Sequence, residues 1–219
     1  MCVIVSAMET KEKFLVGFRD HVGRHGHPPA SVIVLCEPLG LAERDFYAEF
    51  GSLEALESAF WEDLFTKTLA AAESGPEWEG FSARQRMLAF LFAFLEKSLD
   101  VRTVLLFRFR HLSPLANPDW LRGLERRFKD WANELVKQAS ASGEIAERGR
   151  LSGLYPSALY LLLRSVIDFN VKDTSARYER SDAFVEKSVN LAFDLLRTQA
   201  VDSAFDLLRF LAPWGRHQA

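Results

Sequence analysis

Residues 40–56 read GLAERDFYAEFGSLEAL, and the way this stretch divides apolar from acidic positions decides the fold. Gly40 supplies the backbone freedom for a tight corner between two helices. Beyond it, Phe46 and Phe50 fall one turn apart on the inward side of a short helix. Glu43, Arg44, Asp45, Ala48 and Glu49 fall on the outer side. Ser52 then offers a side-chain oxygen to the start of a longer helix, and Glu54 in the first turn of that helix complements its dipole. The stretch from Pro28 to Leu56 therefore predicts a compact helical corner with phenylalanines inward and acids outward.

Working outward, nearly every segment has helical spacing. In TKEKFLVGFRDHVGRHG, Phe14, Leu15, Phe18 and Val22 recur at intervals of three or four, with Thr10 as the expected cap and Gly26 as the stop. Pro28 and Pro29 suit the first turn of the next helix, and Pro38 is expected to end it. The helix opened by Ser52 carries Leu53, Leu56, Phe60 and Leu64 on one stripe. After a loop at GPEWEGFS, Ser82 caps a very apolar helix centred on Leu88–Leu95. RTVLLFRFRHLS alternates like a strand but has no partner strand elsewhere, so it reads as helix. Asn117 is the expected cap of a long amphipathic helix lined by Trp120, Leu124, Phe128, Trp131 and Leu135. YPSALYLLLRSVIDFNV, SDAFVEKSVNLAFDLLRTQ and AVDSAFDLLRFLAPWG close the chain. The word AFDLLR occurs at 192–197 and 204–209, but twelve residues turn a helix by about 120°, so the copies do not share a face.

The composition is that of a chain with a substantial core: 48% of residues are hydrophobic, with 18 Phe and 5 Trp among them. No apolar run is long enough to span a bilayer, and MCVIVSAMETKEKF lacks the basic lead and long apolar stretch of a secretory leader. Cys2 and Cys36 have no metal-ligand spacing, so a reducing, cytoplasmic setting with inert thiols is expected. Charge is uneven. Residues 1–65 hold five cations and eleven anions, a net −6, while the remainder is +3. A segment that grips phosphates would carry the opposite sign.

Residues 26–56, GHPPASVIVLCEPLGLAERDFYAEFGSLEAL, resemble the head motif of the tetracycline-repressor (TetR/AcrR) family. Gly26, Ser31, Val32, Gly40, Tyr47, Phe50, Ser52, Glu54 and Leu56 match the motif outright, and Leu35, Leu41 and Phe46 replace one apolar residue by another. The resemblance covers residues 10–65. It implies an all-α protein with a three-helix helix-turn-helix head over residues 1–51 and a helical ligand-binding and dimerisation body over 52–219. It further implies a homodimeric, non-enzymatic transcriptional regulator that responds to a small apolar ligand and contacts duplex DNA through Arg44, Tyr47 and Ser31. The head departs from the motif where DNA would lie. Ala42 replaces the usual hydroxyl residue, Glu49 the usual His, and Leu53 the usual Lys. The alternative is a scaffold of the same fold that no longer meets DNA and binds a small ligand or a protein instead.

Other residues invite functional readings. Phe90, Phe94, Phe107, His111, Trp120, Phe128 and Trp131 lie on consecutive helices and form either an effector pocket or plain core. Arg108, Arg110 and His111 would serve an anionic head group or a solvated basic face, and Asp168 an apolar-lined anchor or a surface carboxylate. Leu162, Val166, Phe169, Val185, Leu191 and Leu195 offer apolar faces for a four-helix dimer interface. His21 and His25 share a helix face beside His27, which suits a transition metal or simply a polar helix end; the second reading is preferred, and no metal is expected. No phosphate loop or nucleophile arrangement is present, so neither a catalytic residue nor a cofactor is expected.

Overall fold

The computed structural model describes residues 2–147 and 149–198. Its helices are α1 (Cys2–His25), α2 (Val32–Leu39), α3 (Glu43–Glu49), α4 (Leu53–Glu73), α5 (Ala83–Leu99), α6 (Arg102–Phe109), α7 (Arg122–Ala141), α8 (Tyr155–Lys172) and α9 (Glu179–Arg197). Among the described residues there is no strand, and the fold is all-α as expected. The expected closing helix AVDSAFDLLRFLAPWG lies outside the described residues.

The first three helices fold around rings. Phe14 and Phe18 of α1 are fully buried, and Phe14 meets Phe46 edge-on at 5.4 Å and Phe50 at 6.2 Å. Phe18 reaches Phe60 of α4 at 5.5 Å, so the same core continues into the larger helical layer. There α4 packs against α5 and α7, and α8 and α9 close the other side. The closest approach is at Gly123 of α7. Its N–H donates to Ser58 Oγ at 2.9 Å, and a Cβ at that position would lie 2.4 Å from the Ser58 carbonyl oxygen.

Serine side chains cap the starts of α2, α4 and α5. Ser52 Oγ accepts from Ala55 N–H at 3.1 Å and Ser82 caps α5, both as the sequence implied, and Gln85 completes a reciprocal capping box with Ser82. Four local expectations are corrected. First, α1 begins at Cys2, so Thr10 lies inside the helix. Second, Pro28 and Pro29 precede α2, whose cap is Ser31, with Oγ accepting from Val34 N–H at 3.4 Å. Third, Pro38 sits within the last turn of α2. A proline there forfeits one i−4 hydrogen bond, and the helix ends two residues on, where Gly40 is left-handed (φ 64°) and its N–H bonds Glu37 O at 3.2 Å. Fourth, Asn117 does not cap α7. Its amide donates to Glu125 and its oxygen accepts from Tyr160 Oη at 3.2 Å, while a 3-10 turn at Asp119–Leu121 leads into the helix.

Candidate functional site

The α2–Gly40–α3 corner positions the residues expected to meet DNA. Arg44 projects from the first turn of α3 with 89% of its side chain exposed and lies 3.7 Å from the Asp45 carboxylate. Tyr47 is 57% exposed on the same helix, whereas Ser31 is occupied as the α2 cap. Glu43 is exposed and Glu49 is half-buried. Asp45 has a task that charge counting did not anticipate. Ala42 has no side-chain acceptor, and Asp45 Oδ2 accepts from Ala42 N–H at 2.9 Å, supplying half of a capping box. Two of the three acids thus stabilise the start of α3, where the helix dipole favours them. Their field is felt inside. Burial pushes the Cys36 thiol pKa up, and the Glu43 and Asp45 carboxylates push it the same way.

The joint between α4 and α6 is a buried ion pair. Glu57 is 3% exposed and accepts from Arg108 Nε at 2.7 Å, Arg108 Nη2 at 3.1 Å and Trp61 Nε1 at 3.4 Å. Burial raises the Glu57 pKa and outweighs the opposing pull of Arg108 and Trp61. Burying this carboxylate therefore carries a desolvation cost that its partners offset only in part. Arg108 lies over the Trp120 ring at 4.5 Å, and Trp61, Phe109 and Trp120 enclose the pair. Beside it Arg164 is 1% exposed, donating to Ala116 O at 2.8 Å and Ser113 O at 3.2 Å, with its Nε unpartnered. Neither Glu57 nor Arg164 stood out in the sequence reading. Glu57 shares the three-to-four spacing of Leu53, Phe60 and Leu64, and Arg164 interrupts an apolar helix. Both signals were available.

The seven expected pocket residues divide. Phe90, Phe128 and Trp131 meet at 4.7–5.7 Å, with Phe65 of α4 joining them and Phe94 buried next to Phe90. Trp120 belongs instead to the cluster around Arg108. Phe107 and His111 are corrected. Both are exposed, because α6 turns this side away from the core. Phe107 covers Gly26 at the end of α1, where an added Cβ would lie 3.0 Å from its ring.

The expected interface residues divide in the same way. Val166 and Val185 are buried within the chain's own core, which corrects their assignment to a dimer face; helices α8 and α9 each have a second apolar side that packs inward. Leu191 and Leu195 are exposed at 61% and 43%. Leu162 and Phe169 are half-buried, and Phe169 stacks face to face on Phe184 at 4.4 Å. Asp168 forms a surface pair with Lys172 at 2.6 Å.

His21, His25 and His27 do come together, with ring centroids 4.5, 5.7 and 6.1 Å apart. Among the described residues no group of three or more His, Cys, Asp or Glu is suited to holding a metal ion. No described helix is long and apolar enough to cross a membrane.

A sequence model described as the tetracyclin repressor-like C-terminal domain matches residues 86–211, more than half of the chain. No curated protein matches it. Among solved structures, the chain is similar to a putative tetR family transcription regulator from Shewanella sp. PV-4. The TM-score is 0.60 at 16% identity, over 85% of this chain and 97% of that one. It is similar also to a putative transcriptional regulator from Pseudomonas aeruginosa PAO1, with TM-score 0.55, 17% identity, and 85% and 92% of the two chains covered. A TetR-family regulator from Pectobacterium atrosepticum gives TM-score 0.52 at 22% identity, over 88% and 95%. At these identities the likeness concerns the fold.

Proposed function

Since the chain belongs to the tetracycline-repressor family, we propose that it works as a ligand-responsive transcriptional regulator, a homodimer with residues 1–51 as its head and 52–219 as its body. The observation that carries this reading is the joint at Glu57–Arg108. It fastens α4, the helix that leaves the head, to α6 beside the ring-lined core of the body. An apolar effector entering between Phe65, Phe90, Phe128 and Trp131 would displace α4 and with it the spacing of two heads on duplex DNA. Arg44 and Tyr47 are the contacts to phosphate or base, and the outer faces of α8 and α9, with Leu162, Phe169, Leu191 and Leu195, are the dimer surface.

A second reading has its own observation. Glu37 and Glu43 are exposed, as are Ile33 and Val34 of α2, and this mix of acidic and apolar surface suits a basic protein surface better than a polyanion. Binding of nonspecific duplex DNA at about 20 mM salt separates the two, because phosphate attraction is strongest there. Salt-sensitive binding supports the regulator; no binding at that salt favours the scaffold.

A further inference from the structure

The three histidines lie where three helices meet. His21 and His25 end α1, His27 follows Gly26, and Nδ1 of His27 lies 2.8 Å from Pro28 O. Together with Arg24 and Asp20 they wall a hollow of about 500 Å³, whose other wall is Gly17 of α1 and Val34, Leu35, Pro38 and Leu39 of α2. Phe107 of α6 covers the turn at Gly26. His21 Nε2 is buried and has no hydrogen-bond partner among the described residues. We propose that His21, His25 and His27 form a proton-operated latch between α1 and α2, shut while the three rings are neutral and released when they take up protons.

The charges around the hollow support this assignment. Asp20, the one carboxylate lining it among the described residues, is paired with Arg19 at 2.8 Å. Arg24 adds a positive charge on the same wall. The α2 wall carries no titratable group, and on α6 Arg108 is committed to Glu57 while Arg110 and His111 are exposed. Protons bound here would place like charges 4.5–6.1 Å apart, beside a carboxylate already paired with Arg19. A charged His21 would also carry a buried N–H without an acceptor, so its ring must leave its place beside the hollow or admit water. Burial lowers the His21 pKa, and His25 and His27 lower it further. The sign follows from linkage. The folded chain binds this proton less readily than the unfolded one, so head stability is full above the ordinary imidazole range and falls as pH drops through it.

The latch concerns the packing of the head and stands whether or not the head binds DNA. Its test is hydrogen exchange of the full chain in the presence of a chelator, at about pH 7.5 and about pH 5.5, with rates corrected for intrinsic pH dependence. The expected result is a loss of at least about tenfold in α2 amide protection at the lower pH, with smaller change in α5 and α7. His21→Phe, an uncharged ring in the same seat, removes that loss. Equal corrected protection of α2 at both pH values overturns the proposal, as does an undiminished loss in His21→Phe. Should that variant fold poorly, the exposed pair His25→Gln/His27→Gln decides. A reduced acid loss supports the latch, and an unchanged loss overturns it.

Discussion

The α2–α3 corner and the larger helical layer both bury phenylalanines, yet they handle charge in opposite ways. In the body, charges are paired across helices. Glu57 holds Arg108, Glu62 holds Arg126 and Arg127, Asp194 holds Arg84, and Glu144 accepts from two N–H groups at the start of α5. At the α2–α3 corner the acids stay local, with Asp45 capping its own helix and Glu37 and Glu43 facing solvent. In the body, charge fixes how helices lie on one another. In the corner it stabilises one short helix and leaves a field on the surface. A field of that sign works against the approach of a polyanion.

The contrast can be broken most forcefully at the buried pair. Arg108→Met leaves Glu57 buried without its partner and should lower unfolding stability by about 3 kcal/mol, measured by denaturant titration. Glu57→Met/Arg108→Met should recover most of that loss. A double variant as unstable as the single one would mean that the pair is a true source of stability. A second contrast lies in two glycines. Gly123→Ala would drive a Cβ into the Ser58 carbonyl of α4, whereas Gly17→Ala in α1 meets only the movable tip of Leu39, at 2.7 Å. Thermal unfolding should register about 2 kcal/mol for the first and under about 1 kcal/mol for the second. Equal losses would refute the idea that the body packs more rigidly than the head.

Acid sharpens the comparison further. Burial works against the Asp173 carboxylate, but the N–H groups of Ser175 and Ser181 and the Ser181 hydroxyl outweigh it and hold its pKa down to about 2. Its folded value is depressed, so its contribution is complete above about pH 4 and is lost as pH falls from there toward 2. That contribution is about 2 kcal/mol, and Asp173→Asn should remove it at neutral pH while flattening the acid limb of the stability profile. The smallest stability effect is expected at the corner itself. Glu43→Lys/Glu49→Lys should shift unfolding by no more than about 0.5 kcal/mol. It should also strengthen binding of nonspecific duplex DNA and steepen its salt dependence. Unchanged binding would mean that the outer face of α3 does not meet the duplex.

How much of this was legible beforehand can be seen residue by residue. Helices α3, α4 and α5 could be placed from Ser52, Ser82 and the spacing of Phe46, Phe50, Phe60 and Leu64, because caps and periodicity are local properties. Helix α6 was legible only by excluding a lone strand. The start of α1 and the role of Asn117 were missed, since a helix can run past an internal Thr and an Asn can serve side chains from other helices as readily as a backbone N–H. At the candidate site, Arg44 stood out as an exposed position and Tyr47 through the family resemblance. The pairing of Glu57 with Arg108 did not, because the partners lie 51 residues apart.

The sequence by itself determined the helices, the inward phenylalanines and the acidic surface of the corner, since each follows from residue type and spacing along one helix. Tertiary structure alone decided which apolar faces remained outside, separating Leu191 and Leu195 from Val166 and Val185. It also turned Phe107 away from the rings it was expected to join and gathered His21, His25 and His27 on one wall of a hollow facing α2. A residue's spacing fixes the face it occupies on its own helix, but what that face meets depends on how distant helices stack. That arrangement is set by the burial of the whole core at once.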